Sequence, residues 1–295
     1  MIPQEILKKI RRINITTGRL AANIFAGEYK SVFKGRGLEF QEVREYQVGD
    51  EIRLIDWNVT ARSDKPFIKR YVEERQLTIM ILLDASRSGY FGSVNSLKED
   101  IAAEISAVLA SSASKNNDRI GLVIFTDRIE KFIPPRKGRH HILRIVRELL
   151  YHRSEGSGTD IPLCLEYLDK ITTRSAVAFL ISDFYAPDIR KQLSVANKRH
   201  DIIAVKITDP RDFDLPDVGI LSLSDAESGK RYFVDTSKEA VRASYRKDAR
   251  KKHEDIQAML SSAKVDAINI STARPYVEAL IEFFKKRKLR RKLRG

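Results

Sequence analysis

The sequence predicts an α/β protein: a Rossmann-like, mainly parallel sheet with helices on both faces, preceded by a β-rich N-terminal element. Three observations predict it. Short, continuous apolar runs of strand length recur along residues 77–210, and amphipathic helical spacings separate them. The composition, 42% apolar and 32% charged over 295 residues, is that of a chain that can bury a core. Before residue 77 the rhythm changes to short apolar–polar alternations broken by glycine.

In chain order, residues 1–76 form the N-terminal element and residues 77–295 the α/β domain with its hairpin, helices and basic tail. The N-terminal element opens with a short amphipathic helix marked by Ile6, Leu7, Ile10 and Ile13. It continues as strands and turns, with Ile52, Leu54 and Trp57 in one piece and Phe67, Ile68 and Tyr71 in another. Trp57 is read as core, because aromatic rings mostly pack, and Arg53 with Asp56 as a structural ion pair; the alternative is a recognition surface formed by Asp56, Trp57 and Arg62. Leu77 to Leu83 is a buried strand, and Leu97 to Ala113 has helical spacing. Arg119 to Phe125 is a second buried strand and Ile129 to Ile133 a short edge strand. His140 to Leu150 and Ile161 to Ile171 are helical. Ser175 to Ile181 is a strand, Ala186 to Lys198 a helix and Asp201 to Ile207 a strand. Gly219 to Leu223 and Arg231 to Val234 read as a hairpin. Ser237 is the expected cap of a long basic helix reaching Ala263. Val265 to Ile270 and Arg274 to Lys288 supply a last strand and helix.

Composition excludes several classes. With one cysteine, Cys164, no intramolecular disulfide can form, and its apolar surroundings mark a buried thiol. No stretch approaches the roughly 20 apolar residues needed to span a bilayer. The N-terminus lacks the apolar core and cleavage site of a secretory signal. The expectation is a cytoplasmic protein. The net charge of +14 is uneven: eight of the last eleven residues are basic, leaving +6 for the rest. Such a tail suits an anionic membrane surface, nucleic acid or an acidic protein patch, so peripheral membrane association stands as an alternative.

Two strand ends and one loop between helices carry the chemistry. The first strand ends in Asp84, Ser86 and Ser88, an Asp-x-Ser-x-Ser. The segment EGSGTDIP presents Thr159 just before a helix, with Asp160 as its N-cap. The strand SAVAFLISDF ends in Asp183. In an open α/β sheet these loops share the carboxyl edge, where ligands bind. Two carboxylates and three hydroxyls form an all-oxygen set, which hard cations such as Mg²⁺, Mn²⁺ or Ca²⁺ prefer.

This set resembles the metal-ion-dependent adhesion site of von Willebrand factor A domains. The resemblance implies Ser86, Ser88 and Thr159 as direct ligands, with Asp84 and Asp183 direct or water-bridged. It implies a metal that anchors a carboxylate from another protein, and so a binding module rather than an enzyme. The residues after the second serine, Gly89-Tyr90-Phe91-Gly92, depart from the usual family pattern without touching the ligand set.

The N-terminal element carries a narrower resemblance, to the bacterial domain-of-unknown-function family 58. The matching pieces are Gly35-x-Gly37-x-Glu39-Phe40, Arg44-x-Tyr46, Gly49-Asp50, Arg53-x-Ile55-Asp56-Trp57, Ala61-Arg62 and Glu73-Glu74-Arg75. The match is good over about Tyr29 to Phe184. Such proteins are typically associated with MoxR-type AAA+ ATPases, which implies an adaptor or chaperone-like role in maturing or assembling client proteins.

Other chemistries lack their motifs. No Gly-x-Ser-x-Gly elbow and no Gly-x-x-x-x-Gly-Lys-Ser/Thr loop is present, and none of the five histidines has metal-pair spacing. A metal-dependent phosphoesterase using Asp84, Asp183 and Asp127 is one alternative, against which the hydroxyl-rich set argues. Nucleic-acid binding through the tail and the basic helix (Arg242, Arg246, Lys247, Arg250) is another, although no base-reading motif accompanies the charge.

Overall fold

The computed structural model describes residues 39–63, 65–72, 77–94, 96–225 and 229–292. The expected amphipathic helix at Ile6–Ile13 lies outside the described residues, and so does the segment 73–76 at the expected domain boundary.

The first described strands, β1 (Glu39–Glu45) and β2 (Phe67–Val72), pair antiparallel. Their long connection holds a short 3-10 helix, Ile52–Leu54, and one helical turn, Trp57–Thr60. Asp56 caps that turn, accepting from the Asn58 and Val59 N–H groups at 3.0 and 3.4 Å. Trp57 is not core, as expected from its type; it starts the helical turn and is 67% exposed. The packing preference of an indole loses here because Asp56, one residue earlier, is the buried anchor of the turn.

The remaining elements build one covered sheet. Strands β3 (Thr78–Asp84), β4 (Arg119–Phe125), β5 (Ile129–Arg136), β6 (Val177–Ser182), β7 (Asp201–Thr208) and β10 (Asp266–Ser271) are ordered β10-β7-β6-β3-β4-β5. All neighbours are parallel except β4 and β5. The edge strand β5 is longer than predicted. It accommodates Pro134 and Pro135, which lack an N–H, because an edge strand needs no second hydrogen-bonded neighbour.

Side-chain alternation sends the residues of each central strand to opposite faces. Ile79, Ile81, Leu83, Phe179 and Ile181 meet α1 (Lys98–Lys115), α2 (Arg139–Tyr151) and α6 (Tyr276–Lys292) on one face. Met80, Leu82, Val123, Ala178 and Leu180 meet α3 (Ile161–Ile171), α4 (Arg190–Arg199) and α5 (Glu239–Ser262) on the other. Burial on both sides explains why these strands read as unbroken apolar runs. Cys164 is buried in the second layer, and burial pushes its thiol well above the ordinary range.

A separate two-stranded ribbon, β8 (Ile220–Ser224) and β9 (Arg231–Asp235), leads into α5. Ser237 does not cap that helix. Its hydroxyl donates to Asp235 at 2.6 Å, and the N-cap position falls on Lys238. The nearer carboxylate wins the hydroxyl before it can reach the helix amides.

Candidate functional site

The topology makes a crevice before any side chain is considered. Strand β3 lies between β6 and β4, and the helices that follow β3 and β6 pack on opposite faces. Chain leaving adjacent parallel strands toward opposite faces opens a cleft at their carboxyl ends. Asp84 is the last residue of β3, and Asp183 directly follows the last residue of β6.

The Asp84 carboxylate is held from several directions. Its Oδ1 accepts the Ser86 N–H at 3.0 Å, and its Oδ2 accepts the Ser182 hydroxyl at 2.6 Å. Thr159 Oγ1 stands 3.4 Å from both oxygens. Ser86 and Ser88 place their hydroxyl oxygens 3.0 Å apart, at the start of the 3-10 turn Arg87–Tyr90. Burial pushes the Asp84 carboxyl up to about 6. The Ser182 hydrogen bond opposes this, and the charge of Asp183 adds to it.

The Thr159 loop is stapled on both sides. The Arg87 N–H donates to the Ser157 carbonyl at 3.3 Å and the Asp160 N–H to the Thr126 carbonyl at 2.9 Å. Glu130 accepts from the Gly156 N–H and from the Thr126 hydroxyl, each at 2.8 Å. A Cβ on Gly156 would meet Asp127 Oδ1 and Thr126 Oγ1 at 2.1 Å, so the loop approaches this closely only with glycine there. Asp160 caps α3 as expected, accepting the Leu163 N–H at 2.9 Å.

Asp183 is the unusual member. Its Oδ1 accepts the Tyr185 N–H at 3.1 Å. Its Oδ2 is buried and accepts no hydrogen bond. The next residue, Phe184, has φ +60° with its ring buried in the second core layer. A bulky side chain in the left-handed region is strained, and such strain concentrates at sites that need a particular backbone path. The Ser182 hydroxyl accepts the Phe184 N–H at 3.0 Å while donating to Asp84, tying the two strand ends together.

The structure therefore brings Asp84, Ser86, Ser88, Thr159 and Asp183 into one neighbourhood. A gap of about 20 Å³ is bordered by Asp84, Ser86, Ser88, Lys98, Ser182 and Asp183, enough for one ion- or water-sized occupant. Thr159 reaches Asp84 but does not border that gap. Among the described residues no group of three or more His, Cys, Asp or Glu side chains is arranged to hold a metal. Three carboxylate residues border the gap, Asp84, Asp183 and Glu99, and its other side-chain oxygens are serine hydroxyls.

Four participants were missed from sequence. Ser182 is one. Lys98 is another: only 5% exposed, its ammonium meets Asp212 at 2.8 Å and Asp183 Oδ2 at 3.6 Å, with the rings of Phe91 and Tyr185 at 5.5 and 5.6 Å. A lysine in the first turn of a helix opposes the helix dipole, which was a readable sign of a buried partner. Asp209 and Asp212 follow β7, a third acidic strand end. Asp209 accepts the Ser93 hydroxyl, the Ser93 N–H at 2.9 Å and the Thr272 hydroxyl at 2.6 Å. Burial alone would raise its carboxyl, but these bonds outweigh it and hold the group low. Asp209 thereby pins the loop after Ser88 to the ends of β7 and β10.

The basic regions are partly neutralised. Arg242 pairs with Glu239 and Asp217, Arg246 with Glu239 and Asp214, and Arg287 and Arg290 with Asp201 and Asp266. No helix among the described residues is long and apolar enough to cross a membrane.

Comparison with known proteins follows the same lines. The chain is similar to the uncharacterized proteins Mb1516 of Mycobacterium bovis and Rv1480 of Mycobacterium tuberculosis. Each is 28% identical over 284 residues, covering 95% of this chain and 89% of the relative. Among solved structures it is similar to the conserved hypothetical protein BatB from Bacteroides thetaiotaomicron, at 13% identity and a TM-score of 0.46 over 72% of this chain and 98% of that one. It is also similar to an aerotolerance-related membrane protein from Bacteroides fragilis (14%, TM-score 0.47, over 71% and 99%). A third likeness is to the SpRpn10 VWA domain (11%, TM-score 0.40, over 70% and 94%). The central sheet is mainly parallel with helices on both faces. Residues 42–255 match the family described as Protein of unknown function DUF58, and with that match spanning well over half of its length the chain belongs to the DUF58 family.

Proposed function

We propose that this chain is a protein-interaction module whose grip depends on a divalent cation at the Asp84–Asp183 crevice, and that it is not an enzyme. The observation that carries this reading is Asp183 Oδ2, a buried carboxylate oxygen without a hydrogen bond, at a gap bordered also by Asp84, Glu99 and three serines, Ser86, Ser88 and Ser182. A buried anionic oxygen is costly without hydrogen bonds, and the Lys98 ammonium at 3.6 Å is too far away to supply one. The donor chemistry fits a hard cation, Mg²⁺ or equally Mn²⁺ or Ca²⁺. Ser86 and Ser88 would hold it directly, Asp84 and Asp183 directly or through water, and Thr159, which reaches Asp84 but does not border the gap, would join them as the loop closes on the ion. A bound ion supplies positive charge and an open coordination position for a carboxylate of another protein.

Within this reading the partners are a client protein that offers that carboxylate and an AAA+ ATPase of the MoxR type, the partnership that the family resemblance suggests. The ion pairs of Arg242, Arg246, Arg287 and Arg290 favour protein binding over nucleic acid, since they draw charge away from a phosphate-binding face. Peripheral association with an anionic membrane, suggested by the basic composition of the last eleven residues, is the alternative use of this end of the chain.

The test is thermal unfolding with Mg²⁺ or Mn²⁺ and with chelator. An ion at a hundred times its Kd stabilises by about 2.7 kcal/mol, or several degrees at this chain length. Ser86→Ala combined with Ser88→Ala should abolish that shift and leave the chelated protein folded. Equal shifts in parent and variant would refute the reading. Phosphoester turnover with Mn²⁺ that is lost in Asp84→Ala would replace it with an enzymatic one.

A further inference from the structure

We infer that Lys98 is a built-in competitor for the ion: its ammonium and the cation draw on the same Asp183 carboxylate, and Asp212 governs how far the ammonium is withheld. This rests on the cation reading of the site and concerns how tightly that site binds.

Lys98 opens α1, where the helix dipole disfavours a positive charge, and it is nearly sealed from water. A buried ammonium needs carboxylate partners. It has two, of unequal strength. Asp212 takes it through both oxygens, at 2.8 and 3.0 Å. Asp183 Oδ2 is 3.6 Å away, close enough for charge attraction and too far for a hydrogen bond. Asp212 is fixed in turn, because its Oδ2 accepts the Asp209 N–H at 2.7 Å. The ammonium also borders the same gap as Asp84, Ser86 and Ser88.

Two consequences follow from Coulomb's law in a poorly solvated place. A cation in the gap and the ammonium repel each other, which weakens ion binding. Anything that loosens Asp212 from Lys98 lets the ammonium move onto Asp183 and weakens it further. Lys206 lies nearby, with its ammonium donating to His253 Nδ1 at 3.0 Å; burial lowers it to about 8, so it adds a positive charge that fades as pH rises through that value. The arrangement suits a grip that must release.

The experiment is calorimetric titration of the full chain with Mn²⁺, comparing the parent with Asp212→Asn, the pair Lys98→Met/Asp212→Asn, and Asp84→Ala. Lys98→Met alone leaves two buried carboxylates without the ammonium, so the charge-balanced pair carries the test. Asp212→Asn should weaken Mn²⁺ binding at least tenfold. The pair should bind at least tenfold more tightly than Asp212→Asn alone, although it carries one more substitution in the same cluster. A purely structural Lys98 would make the pair as weak as Asp212→Asn or weaker, and that result overturns the inference. So does Mn²⁺ affinity in Asp212→Asn equal to the parent's. If the parent takes up no Mn²⁺, or Asp84→Ala binds as well as the parent, the cation reading itself falls and the competition with it.

Discussion

Replacing Asp84 with asparagine should make the metal-free protein more stable. The carboxyl group is pushed from an ordinary 3.8 to about 6, chiefly by burial, so the folded state disfavours its ionised form. At 1.36 kcal/mol per tenfold change, ionisation at pH 7 or above costs the fold about 3 kcal/mol at most. Asp84 keeps partial contact with solvent, which lowers the effective cost to about 1–2 kcal/mol. Asparagine keeps the shape and can still accept the Ser86 N–H, while the Ser182 hydroxyl can turn to accept from the new amide. In chelator at pH 8, Asp84→Asn should therefore melt a few degrees above the parent. The sign with pH is fixed: the penalty is absent below pH 3.8, grows between there and about 6, and is complete above. The advantage of asparagine should shrink on acidification through that window, and the variant should lose its response to added Mg²⁺. A metal-free variant that melts below the parent at pH 8, or a difference that stays flat from pH 8 to pH 4, would refute the electrostatic reasoning.

Two other substitutions probe the frame around the site. Gly156→Ala places a Cβ 2.1 Å from Thr126 Oγ1 and Asp127 Oδ1, so the Thr159 loop must shift. It should weaken Mg²⁺ binding several-fold in a titration while lowering the metal-free melting temperature by only a few degrees. His200 tests acid sensitivity away from the crevice. It is buried, its Nδ1 accepts the Ala176 N–H at 3.2 Å, and its Nε2 lies 2.8 Å from Asp169 Oδ1. Burial lowers its basicity below the ordinary 6.5 despite Asp169, because protonating Nδ1 would point a proton at an amide proton. With a depressed folded value, its stabilising contribution is complete above pH 6.5 and lost as pH falls through that value and below it. His200→Gln should cost about 1–2 kcal/mol at pH 8 through lost packing and hydrogen bonding. It should also flatten the decline in stability between pH 7 and pH 5, followed by urea unfolding. Parallel pH curves for parent and variant would count against this.

The crevice residues divide the labour in a way that relates stability to use. The Asp84 carboxyl is held where ionisation is disfavoured, Asp183 Oδ2 is buried without a hydrogen bond, and Phe184 is held in a strained conformation. Each is locally unfavourable and is tolerated because the two apolar layers over-determine the strand ends beneath. On the proposed cation reading, this is the character of the site before its ion arrives.

Much of the frame was legible from the residues. Runs such as Ile79–Leu83 and Val177–Ile181 are apolar throughout because both faces are covered, and that pattern has few other readings. Asp84, Ser86, Ser88, Thr159 and Asp183 stood out because polar side chains at the ends of buried strands need a reason. Trp57 and Ser237 were misjudged because residue type gives only an average. A neighbouring anchor, Asp56 in one case and Asp235 in the other, changed which group was used. Ser182 was passed over because it reads as part of its strand. Lys98, Asp209 and Asp212 were passed over because their partners are remote in sequence: Lys98 and Asp212 are 114 residues apart, and Ser93 and Asp209 are 116 apart.

The sequence by itself determined the alternation of elements, the two-sided burial of the central strands and the identity of the oxygen donors, since each depends on periodicity or on groups close along the chain. Only the tertiary structure decided that β3 lies between β6 and β4, that a single hydroxyl, Ser182, links the two strand ends, and that an ammonium already stands beside Asp183. Those are contacts between distant segments, and their strength depends on how far water is excluded, which is a property of the packed chain rather than of any stretch of it.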